Sequence, residues 1–246
     1  MKWHERPFVS FDIESTGTNV ESDRIVSAAV VTVDPATGRK DMREWLADPG
    51  IDIPAEATEI HGITTEYARE RGEPAADVAY GIAQALDVAW GAMQPVVIYN
   101  APYDLTLLDR ELRRHVGYPL NPAAVVDPLV IDRKVQPRKM KGGHQLGTAC
   151  GIYGIDLSTI DAHGAAADAL ATARLAWVLA TRHPEIGAMR LPELHARQID
   201  WYAEQAAELE TYLRGVKLRY EGQEAADAVH CPREWPLRPV TEEVTV

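Results

Sequence analysis

Two acidic residues stand inside a short apolar stretch near the N-terminus of this sequence. The stretch FVSFDIESTG places Asp12 and Glu14 two positions apart, between apolar residues and a turn at residues 15–17. The apolar pattern predicts a β-strand, in which residues two apart point to the same face. We therefore expect the two carboxylates to lie side by side, at positions where a buried strand would ordinarily carry Ile or Val.

Two further acidic residues lie in or beside apolar elements. Asp104 follows the apolar segment VVIYNAPY in the first turn of a predicted helix, and Asp168 lies within the alanine-rich segment DAHGAAADALA. If the four carboxylates meet, each pair about 4 Å apart repels by about 4 kcal/mol at an effective dielectric of 20. No Lys or Arg lies within these motifs. Hard divalent cations prefer oxygen ligands, so we expect Mg²⁺ or Mn²⁺ to neutralise the cluster.

One histidine stands close to these acidic residues in the sequence. His163 precedes Asp168 by five positions, which would turn the two side chains about 140° apart on one continuous helix. Gly164 lets His163 lie in a loop while Asp168 lies within the helix. A histidine beside a metal site suits a general base that activates water. Each of these features alone is more often structural, but their order along the chain makes a catalytic site the more specific interpretation.

The apolar patterns predict a mixed sheet with helices packed against it. Strands are predicted from Phe8 through the first acidic pair and over residues 24–34, 41–49, 95–100 and 123–127, and helices over residues 73–93, 101–117, 163–183 and 191–215. Strands that first form a meander and then alternate with helices favour an α/β fold.

Composition narrows the class of protein. The 246 residues, 46% of them hydrophobic, suffice for one core or for one domain with an extension. The net charge of -12 argues against tight, non-specific nucleic-acid binding by bulk electrostatics, although it permits an enzyme that uses local contacts and metal cations. No stretch predicts a membrane span, and the N-terminal MKWHERP has no secretory character. We expect a soluble, cytoplasmic protein with no membrane partner.

The character of the sequence changes after residue 183. We predict a main domain over residues 1–183 and a helical extension with a tail over residues 184–246. The long helix carries an apolar stripe spaced three and four apart, made of Ile199, Tyr202, Ala206, Leu209 and Leu213. The stripe is narrow and the linker after Pro184 is short, which favours packing on the main domain. A dimer through a short coiled coil and docking on a polymerase also fit, so the choice between monomer and dimer stays open.

The ordered motifs resemble the DnaQ-like, or DEDDh, 3′–5′ exonuclease family, which includes the proofreading ε-type subunits of replicative polymerases. The family motif D-x-E-x-T-G is matched by DIESTG at residues 12–17, N-A-x-[FY]-D by NAPYD at residues 100–104, and H-x-A-x-x-D-A by HGAAADA at residues 163–169. A further element is matched by IHGIT at residues 60–64. The resemblance covers roughly residues 7–183, and its departures are small, such as a tyrosine at position 103 where Phe is common.

The resemblance implies an RNase H-like mixed sheet flanked by helices and phosphodiester hydrolysis assisted by two Mg²⁺ or Mn²⁺ ions. It implies a catalytic set made of four metal-binding carboxylates and one histidine base: Asp12, Glu14, Asp104, Asp168 and His163. It also implies a substrate-binding set: Ser15, Thr16, His61, Asn100 and Tyr103. The expected reaction removes nucleoside 5′-monophosphates from the 3′ end of DNA. From the residues alone, His61 is equally well explained as a loop histidine that caps Thr64, and Tyr103 as a core residue.

One basic run stands out in this acidic chain. The segment DRKVQPRKMKGGH carries five basic residues between the second and third motifs: Arg133, Lys134, Arg138, Lys139 and Lys141. The run is either a solvated loop or a rim that contacts the phosphates of a nucleic acid.

Three functions remain open at this point. A DNA exonuclease for proofreading or repair, with a DNA polymerase as a candidate partner, is favoured. An RNA-directed relative similar to RNase T or oligoribonuclease shares the motifs, since discrimination of the 2′-hydroxyl depends on pocket shape. A non-catalytic nucleic-acid or polymerase-binding module would keep the fold without hydrolysis, and metal-dependent release of mononucleotides separates it from the two enzymes.

Overall fold

A six-stranded mixed sheet forms the centre of the protein. The computed structural model describes residues 2–137, 139, 142–160 and 164–240. The strands are β1 (Phe8–Ser15), β2 (Ile25–Val33), β3 (Lys40–Asp48), β4 (Glu73–Pro74), β5 (Val96–Val97) and β6 (Val125–Val126). Their order across the sheet is β4-β3-β2-β1-β5-β6. β1 to β3 form an antiparallel meander, β5 and β6 continue the sheet parallel to β1, and β4 pairs parallel to β3.

Helices surround this sheet. They are α1 (Ala55–His61), α2 (Thr65–Arg71), α3 (Ala75–Gly91), α4 (Ala101–His115), α5 (Pro128–Val135), α6 (Leu146–Ile152), α7 (Ala165–Arg182), α8 (Pro184–Gly187), α9 (Leu191–Tyr220) and α10 (Gln223–Asp227). Short 3₁₀ turns occupy Trp3–Glu5 and Leu157–Thr159. None of these described helices combines the length and the apolar character needed to cross a lipid bilayer.

Small side chains bring α7 close to the sheet. Ala165 and Ala166 of α7 pack on Ala29 of β2, and Ala169 one turn later packs on Val31. Trp45, which pairs with Ala28 and therefore points to the other face, lies against α3 at Gly81. α7 and α3 thus cover opposite faces of the sheet, and the alanines bring the residues of α7 near β1.

The long predicted elements are confirmed, whereas the short ones are shorter or were missed. Six elements begin and end within two residues of their predicted bounds: β1, β2, β3, α3, α4 and α7. The apolar runs at residues 95–100 and 123–127 contribute only two strand residues each. Helices α1, α2, α5 and α6 were not predicted. Each has seven or eight residues, which is too short to show a helical period, although Gly62 and Gly72 end α1 and α2 as helix stop signals.

The predicted apolar stripe of α9 is wrong in part. Ile199 and Leu209 are 41% and 44% exposed, respectively, whereas Ala206 is buried. The buried face of the helix instead carries Leu191, Leu194, Gln198, Trp201 and Ala206. Its centre is polar, because Gln198 donates to the Val125 carbonyl of β6 at 3.0 Å and accepts from the Asp127 N–H at 2.6 Å. An apolar pattern cannot reveal a face that is held by a glutamine.

The C-terminal region packs on the rest of the protein. Leu194 and Trp201 of α9, together with Trp235 of the tail, belong to the same core cluster as Phe8 and Phe11 of β1. At the other end of the chain, the Trp3 indole N–H donates to the carbonyl of Ile186 at 3.3 Å. The packing that the sequence favours for α9 is therefore present, while the division between residues 1–183 and 184–246 stays a prediction.

Candidate active site

Three carboxylates meet between β1 and α7. Asp12 pairs with Ala29, the β2 residue that packs against α7, so Asp12 and Glu14 face this helix. Asp168 lies in the first turn of α7. One carboxylate oxygen from each of Asp12, Glu14 and Asp168 lies within 4.8 Å of the other two. The side-by-side arrangement expected from the sequence is therefore present, and α7 adds the third acid.

A fourth carboxylate is fixed to β1 by a hydrogen bond. β5 pairs with β1 only at Val9 and Ser10, so the Ile13 N–H lies beyond the parallel ladder. The Asp104 carboxylate accepts from this N–H at 3.0 Å, and its side chain is buried. A cavity of about 390 Å³ is lined by three of the acids and their neighbours: Asp12, Ile13, Tyr99, Asn100, Tyr103, Asp104, Leu129, Arg133, Gln145, Leu146 and Asp168. The four predicted metal-binding residues thus lie around one site.

The site favours protonated carboxyl groups in the absence of a cation. Burial raises the pKa of Asp12 well above its usual range, and the charges of Asp104, Asp168 and Glu14 raise it further. Burial, and then the charge of Asp168, raises the pKa of Glu14 to about 7. Burial likewise raises the pKa of Asp104 and of Asp168. Within the described part of the chain, no Lys or Arg forms an ion pair with any of the four.

The raised pKa of Glu14 predicts how the stability of the metal-free protein depends on pH. Between the ordinary pKa of 4.5 and the folded-state pKa of about 7, the folded protein binds more protons at Glu14 than the unfolded chain does. The free energy of unfolding therefore falls as pH rises through this window, by up to about 3 kcal/mol from Glu14. We expect the Tm in EDTA to fall from about pH 5 to about pH 8, and Glu14→Gln to flatten this fall. A Tm that fell equally in both proteins would contradict the assignment.

His163, the predicted general base, lies outside the described residues. The residue that follows it, Gly164, caps α7 with φ of 57° and ψ of -143°, a conformation that favours glycine. A Cβ placed on Gly164 would lie 3.9 Å from Glu14 Oε1. The chain therefore passes beside the carboxylates directly after His163, and the catalytic role of His163 stays a prediction.

Two predicted substrate residues join the end of β1 to the start of α4. The hydroxyl groups of Ser15 and Tyr103 lie 2.5 Å apart, and both lie within hydrogen-bond distance of the Gly17 carbonyl. Each hydroxyl has one proton, so one donates to the carbonyl and the other to its neighbour. Burial raises the pKa of Tyr103 to about 12. These hydroxyls hold the wall of the cavity in place, and their contact with substrate stays a prediction.

The side chain of Thr16 builds the turn after β1. Thr16 is 2% exposed, and its hydroxyl donates to Asp23 at 2.9 Å and accepts from the Arg24 N–H at 3.0 Å. Gly17 leaves room for this arrangement, because a Cβ there would lie 2.6 Å from the Asp23 carboxylate. The hydroxyl of Thr16 is therefore occupied within the turn, and the predicted role of this residue in substrate binding is untested.

His61 lies at the end of α1, beside the turn that follows β1. Its Nδ1 accepts from the Ile63 N–H at 3.1 Å, so the other ring nitrogen, Nε2, carries the proton. Burial lowers the pKa of His61. The alternative of a loop histidine that caps Thr64 is not seen among the described hydrogen bonds, because the imidazole binds the N–H of Ile63 instead. The predicted contact of His61 with substrate stays open.

The amino-acid sequence matches a known family over the region that carries these acids. The profile of the RNase T family, described as an exonuclease family, matches residues 9–176. This chain belongs to that exonuclease family. The match includes the segments that carry Asp12, Glu14, Asp104 and Asp168, and the predicted DnaQ-like family is confirmed.

Curated relatives of this chain are named as parts of bacterial DNA polymerase III. The chain is 30% identical over 179 residues to the PolC-type DNA polymerase III of Oceanobacillus iheyensis, covering 73% of this chain and 12% of PolC. It is 28% identical over 167 residues to the DNA polymerase III subunit epsilon of Rickettsia conorii, covering 65% of this chain and 68% of that subunit. The chain therefore spans only a small part of the PolC relatives.

Solved structures of exonuclease I share the fold. Escherichia coli exonuclease I in complex with a dT13 oligonucleotide superposes with a TM-score of 0.62 at 23% identity, covering 74% of this chain and 42% of that one. Exonuclease I from Methylocaldum szegediense superposes with a TM-score of 0.60 at 22% identity, covering 84% and 46%. These similarities confirm the RNase H-like α/β fold of this chain.

A buried aspartate supports the carboxylate cavity from behind. Asn100 precedes α4 in the left-handed region, with φ of 63°. Its N–H donates to Asp127 Oδ1 at 3.0 Å, and the N–H of Ala101 donates to Oδ2 at 2.9 Å. The Trp235 indole N–H reaches the same Oδ2 at 3.3 Å. Asp127 therefore fixes the turn that leads to Asp104 and links it to the C-terminal tail.

Sequence reasoning did not assign a role to Asp127, although a signal was available. The segment AAVVDP places an acid directly after a buried strand, as VVIYNAPYD does for Asp104. Its side chain is wholly buried and accepts from backbone N–H groups that would otherwise lack partners.

We expect Asp127→Asn to lower both stability and kcat. An amide offers one acceptor oxygen, so its NH₂ group would face N–H donors, at a cost of about 1–3 kcal/mol. The displaced turn would carry Asp104 with it, so kcat should fall about tenfold or more. Urea unfolding and steady-state hydrolysis measure the two effects. Glu111→Gln is the matched control, because Glu111 is buried on the far half of α4. An equal loss of kcat in both variants would show that general destabilisation is the cause.

Two members of the basic run are held in ion pairs. The Lys139 ammonium lies 2.7 Å from both oxygens of the buried Asp132 carboxylate, and its side chain is 5% exposed. Lys134 pairs with Glu204 at 3.1 Å. For Lys139, both interpretations of the sequence are therefore wrong, because a buried, paired ammonium is neither solvated nor available to a phosphate. Arg138 and Lys141 lie outside the described residues, while Arg133 lines the carboxylate cavity.

Proposed function

We propose that this protein is a metal-dependent exonuclease that removes nucleoside 5′-monophosphates from the 3′ end of single-stranded DNA. The observation that carries the proposal is the cluster of Asp12, Glu14 and Asp168, whose oxygens lie within 4.8 Å of one another. Charges at that separation repel by about 3.5 kcal/mol per pair at an effective dielectric of 20. A cluster of this kind fits a divalent cation better than any structural role.

The chemistry of the donors fits two Mg²⁺ or Mn²⁺ ions. All the candidate ligands are carboxylate oxygens, which these hard cations prefer. We assign Asp12, Glu14 and Asp168 to one ion, and Asp12 with Asp104 to the second. The raised pKa values of these groups mean that metal binding would release protons, so occupancy should rise with pH.

The residues of the site have different roles in hydrolysis. When bound, the divalent ions activate water and neutralise charge on the reacting phosphate. His163 accepts a proton from the attacking water at a ring nitrogen. The water oxygen bonds to phosphorus, and the bond to the 3′ oxygen of the preceding nucleotide breaks. That oxygen leaves with the electron pair and takes up a proton from solvent to become a 3′-hydroxyl group. Ser15 and Tyr103 hold the wall of the cavity, and Asp127 holds Asn100 and α4 behind it.

The relatives support DNA as the substrate. PolC and subunit epsilon are named as parts of DNA polymerase III, and E. coli exonuclease I has been solved with a dT13 oligonucleotide. The same names support a DNA polymerase as a partner of this protein. They also support the cytoplasm as the compartment in which the protein and the polymerase would meet DNA. Association with a polymerase would appear as a shift of the complex in analytical size exclusion.

Product analysis tests the proposal. Matched single-stranded DNA and RNA, labelled at the 5′ end, are incubated with Mn²⁺ or Mg²⁺, with EDTA and Asp12→Asn as controls. A descending ladder on DNA, with 5′-monophosphate as product and no ladder in either control, is expected. A ladder mainly on RNA would support the same hydrolysis, with RNA instead of DNA as the substrate. The absence of hydrolysis on both, in a protein that still binds nucleic acid, would instead support a binding module.

A further inference from the structure

Arg133 lies where two cavities of the protein meet. It lines the carboxylate cavity together with Asp12, Asp104 and Asp168. It also lines a second cleft of about 260 Å³, whose other lining residues are Pro137, His144, Gln205, Glu208 and Leu209. The second cleft lies between Pro137 and His144 on one side and the middle of α9 on the other. A chain that leaves the carboxylate cavity through this junction passes the guanidinium group.

The charge of Arg133 is available, unlike that of its basic neighbours. Arg133 is half-buried on α5, and among the described residues no carboxylate lies within ion-pair distance of it. Lys134, the next residue, is paired with Glu204 and lies over the Trp201 ring. Lys139 is paired with Asp132. A protein with a net charge of -12 needs local cations of this kind to hold a nucleic acid.

The second cleft offers surfaces that suit an unstacked nucleotide. The His144 ring is held by a contact of 2.7 Å between its Nδ1 and Asp132, and Leu209 is exposed. Gln205 donates through Nε2 to the Val130 carbonyl at 2.9 Å, which holds its side chain against α5. The imidazole face of His144 and the apolar side chain of Leu209 can pack against a base. Glu208 is exposed, so water screens its repulsion.

We propose that Arg133 binds the phosphate next to the scissile one on its 5′ side, and that the second cleft holds the penultimate nucleotide. This inference rests on the proposed function. It gives α9 a role in binding the strand, through Leu209, and it places the single strand between α9 and the carboxylate cavity.

Two substrates separate this subsite from the reaction centre. The p-nitrophenyl ester of thymidine 5′-monophosphate has only the scissile phosphate, whereas a dT oligonucleotide also has the next one. In Arg133→Ala we expect KM for the oligonucleotide to rise about tenfold. The fold-increase of KM for the oligonucleotide should be at least about five times the fold-increase of KM for the ester. The slope of log KM against log salt should fall by about 0.7, the value for one phosphate contact on a single strand.

Two other variants complete the test. Lys134→Ala removes the adjacent charge on α5 and should change KM for the oligonucleotide less than about twofold, because Lys134 pairs with Glu204. Leu209→Asp places an acid on the exposed wall of the cleft and should raise KM for the oligonucleotide alone. Because Leu209 is 44% exposed, this variant tests the cleft even if Arg133→Ala folds poorly.

The outcomes are distinguishable. Equal changes of KM for the two substrates in Arg133→Ala, or an unchanged salt slope, would overturn the subsite. If the wild type hydrolyses neither substrate, the proposed function fails. The anisotropy of a labelled dT oligonucleotide would then still compare its binding to Arg133→Ala and Lys134→Ala. Weaker binding to Arg133→Ala alone would support the subsite, and equal binding would overturn it.

Discussion

Asp12→Asn is expected to abolish metal-dependent hydrolysis and to raise the stability of the metal-free protein. Asp12 is the member of the cluster whose pKa is raised by the charges of all three other acids, Asp104, Asp168 and Glu14. An amide of nearly the same shape removes this repulsion and also removes the ligand that would be shared by two ions. Activity and apo-stability should therefore change in opposite directions, which a residue that merely supports the fold would not produce.

The measurement for Asp12→Asn combines product analysis with thermal unfolding in EDTA at about pH 8. Each kcal/mol of relieved repulsion should raise the Tm by about 2–4 °C in a chain of this size. Addition of Mn²⁺ should raise the Tm of the wild type more than that of Asp12→Asn, because the variant has lost a ligand. Asp41→Asn, which neutralises an exposed acid on β3, controls for the change in net charge. Retained hydrolysis would show that Asp12 is not a required metal ligand.

The carboxylate site could be predicted because each of its acids is tied to a regular element. Asp12 and Glu14 lie on a strand with clear alternation, and Asp168 lies on a helix of eighteen residues. The sequence also contains the alanines that bring α7 to the sheet, although their packing on Ala29 and Val31 is visible only in three dimensions. Local periodicity predicted which segments are strands and helices. The similarity to a known family indicated that their acidic residues come together.

The position of Asp127 after a strand carried a signal, but the contacts that support the site could not be predicted, because the partners are polar and far apart in sequence. Asp127 and Trp235 are separated by 108 positions, and the tail around Trp235 shows no periodicity. Gln198 interrupts the buried face of α9, so the apolar pattern indicated the wrong stripe. The sequence grouped Lys139 with a basic run that is either solvated or in contact with phosphates, but Lys139 pairs with Asp132 in the interior. Buried polar pairs follow hydrogen-bond geometry, which hydrophobic patterns do not describe.

His163→Ala is expected to lower kcat by roughly 10²–10⁴-fold while leaving KM and the metal-induced rise in Tm nearly unchanged. Gly164, the residue that follows His163 in the sequence, lies beside Glu14. A general base acts only on the attacking water, so its removal should not weaken the metal ligands. His230→Ala, which removes an exposed histidine after α10, is the matched control.

The pH–rate profile of His163→Ala separates two causes of activity loss in acid. The carboxylates have raised pKa values, so protons compete with the metal, and the rate falls at low pH even without a histidine base. That part of the profile should shift to lower pH as the metal concentration rises, in both wild type and variant. At saturating metal, the dependence that remains in the wild type reports the general base, and it should disappear in His163→Ala. A profile at saturating metal that the substitution leaves unchanged would assign water activation to another group.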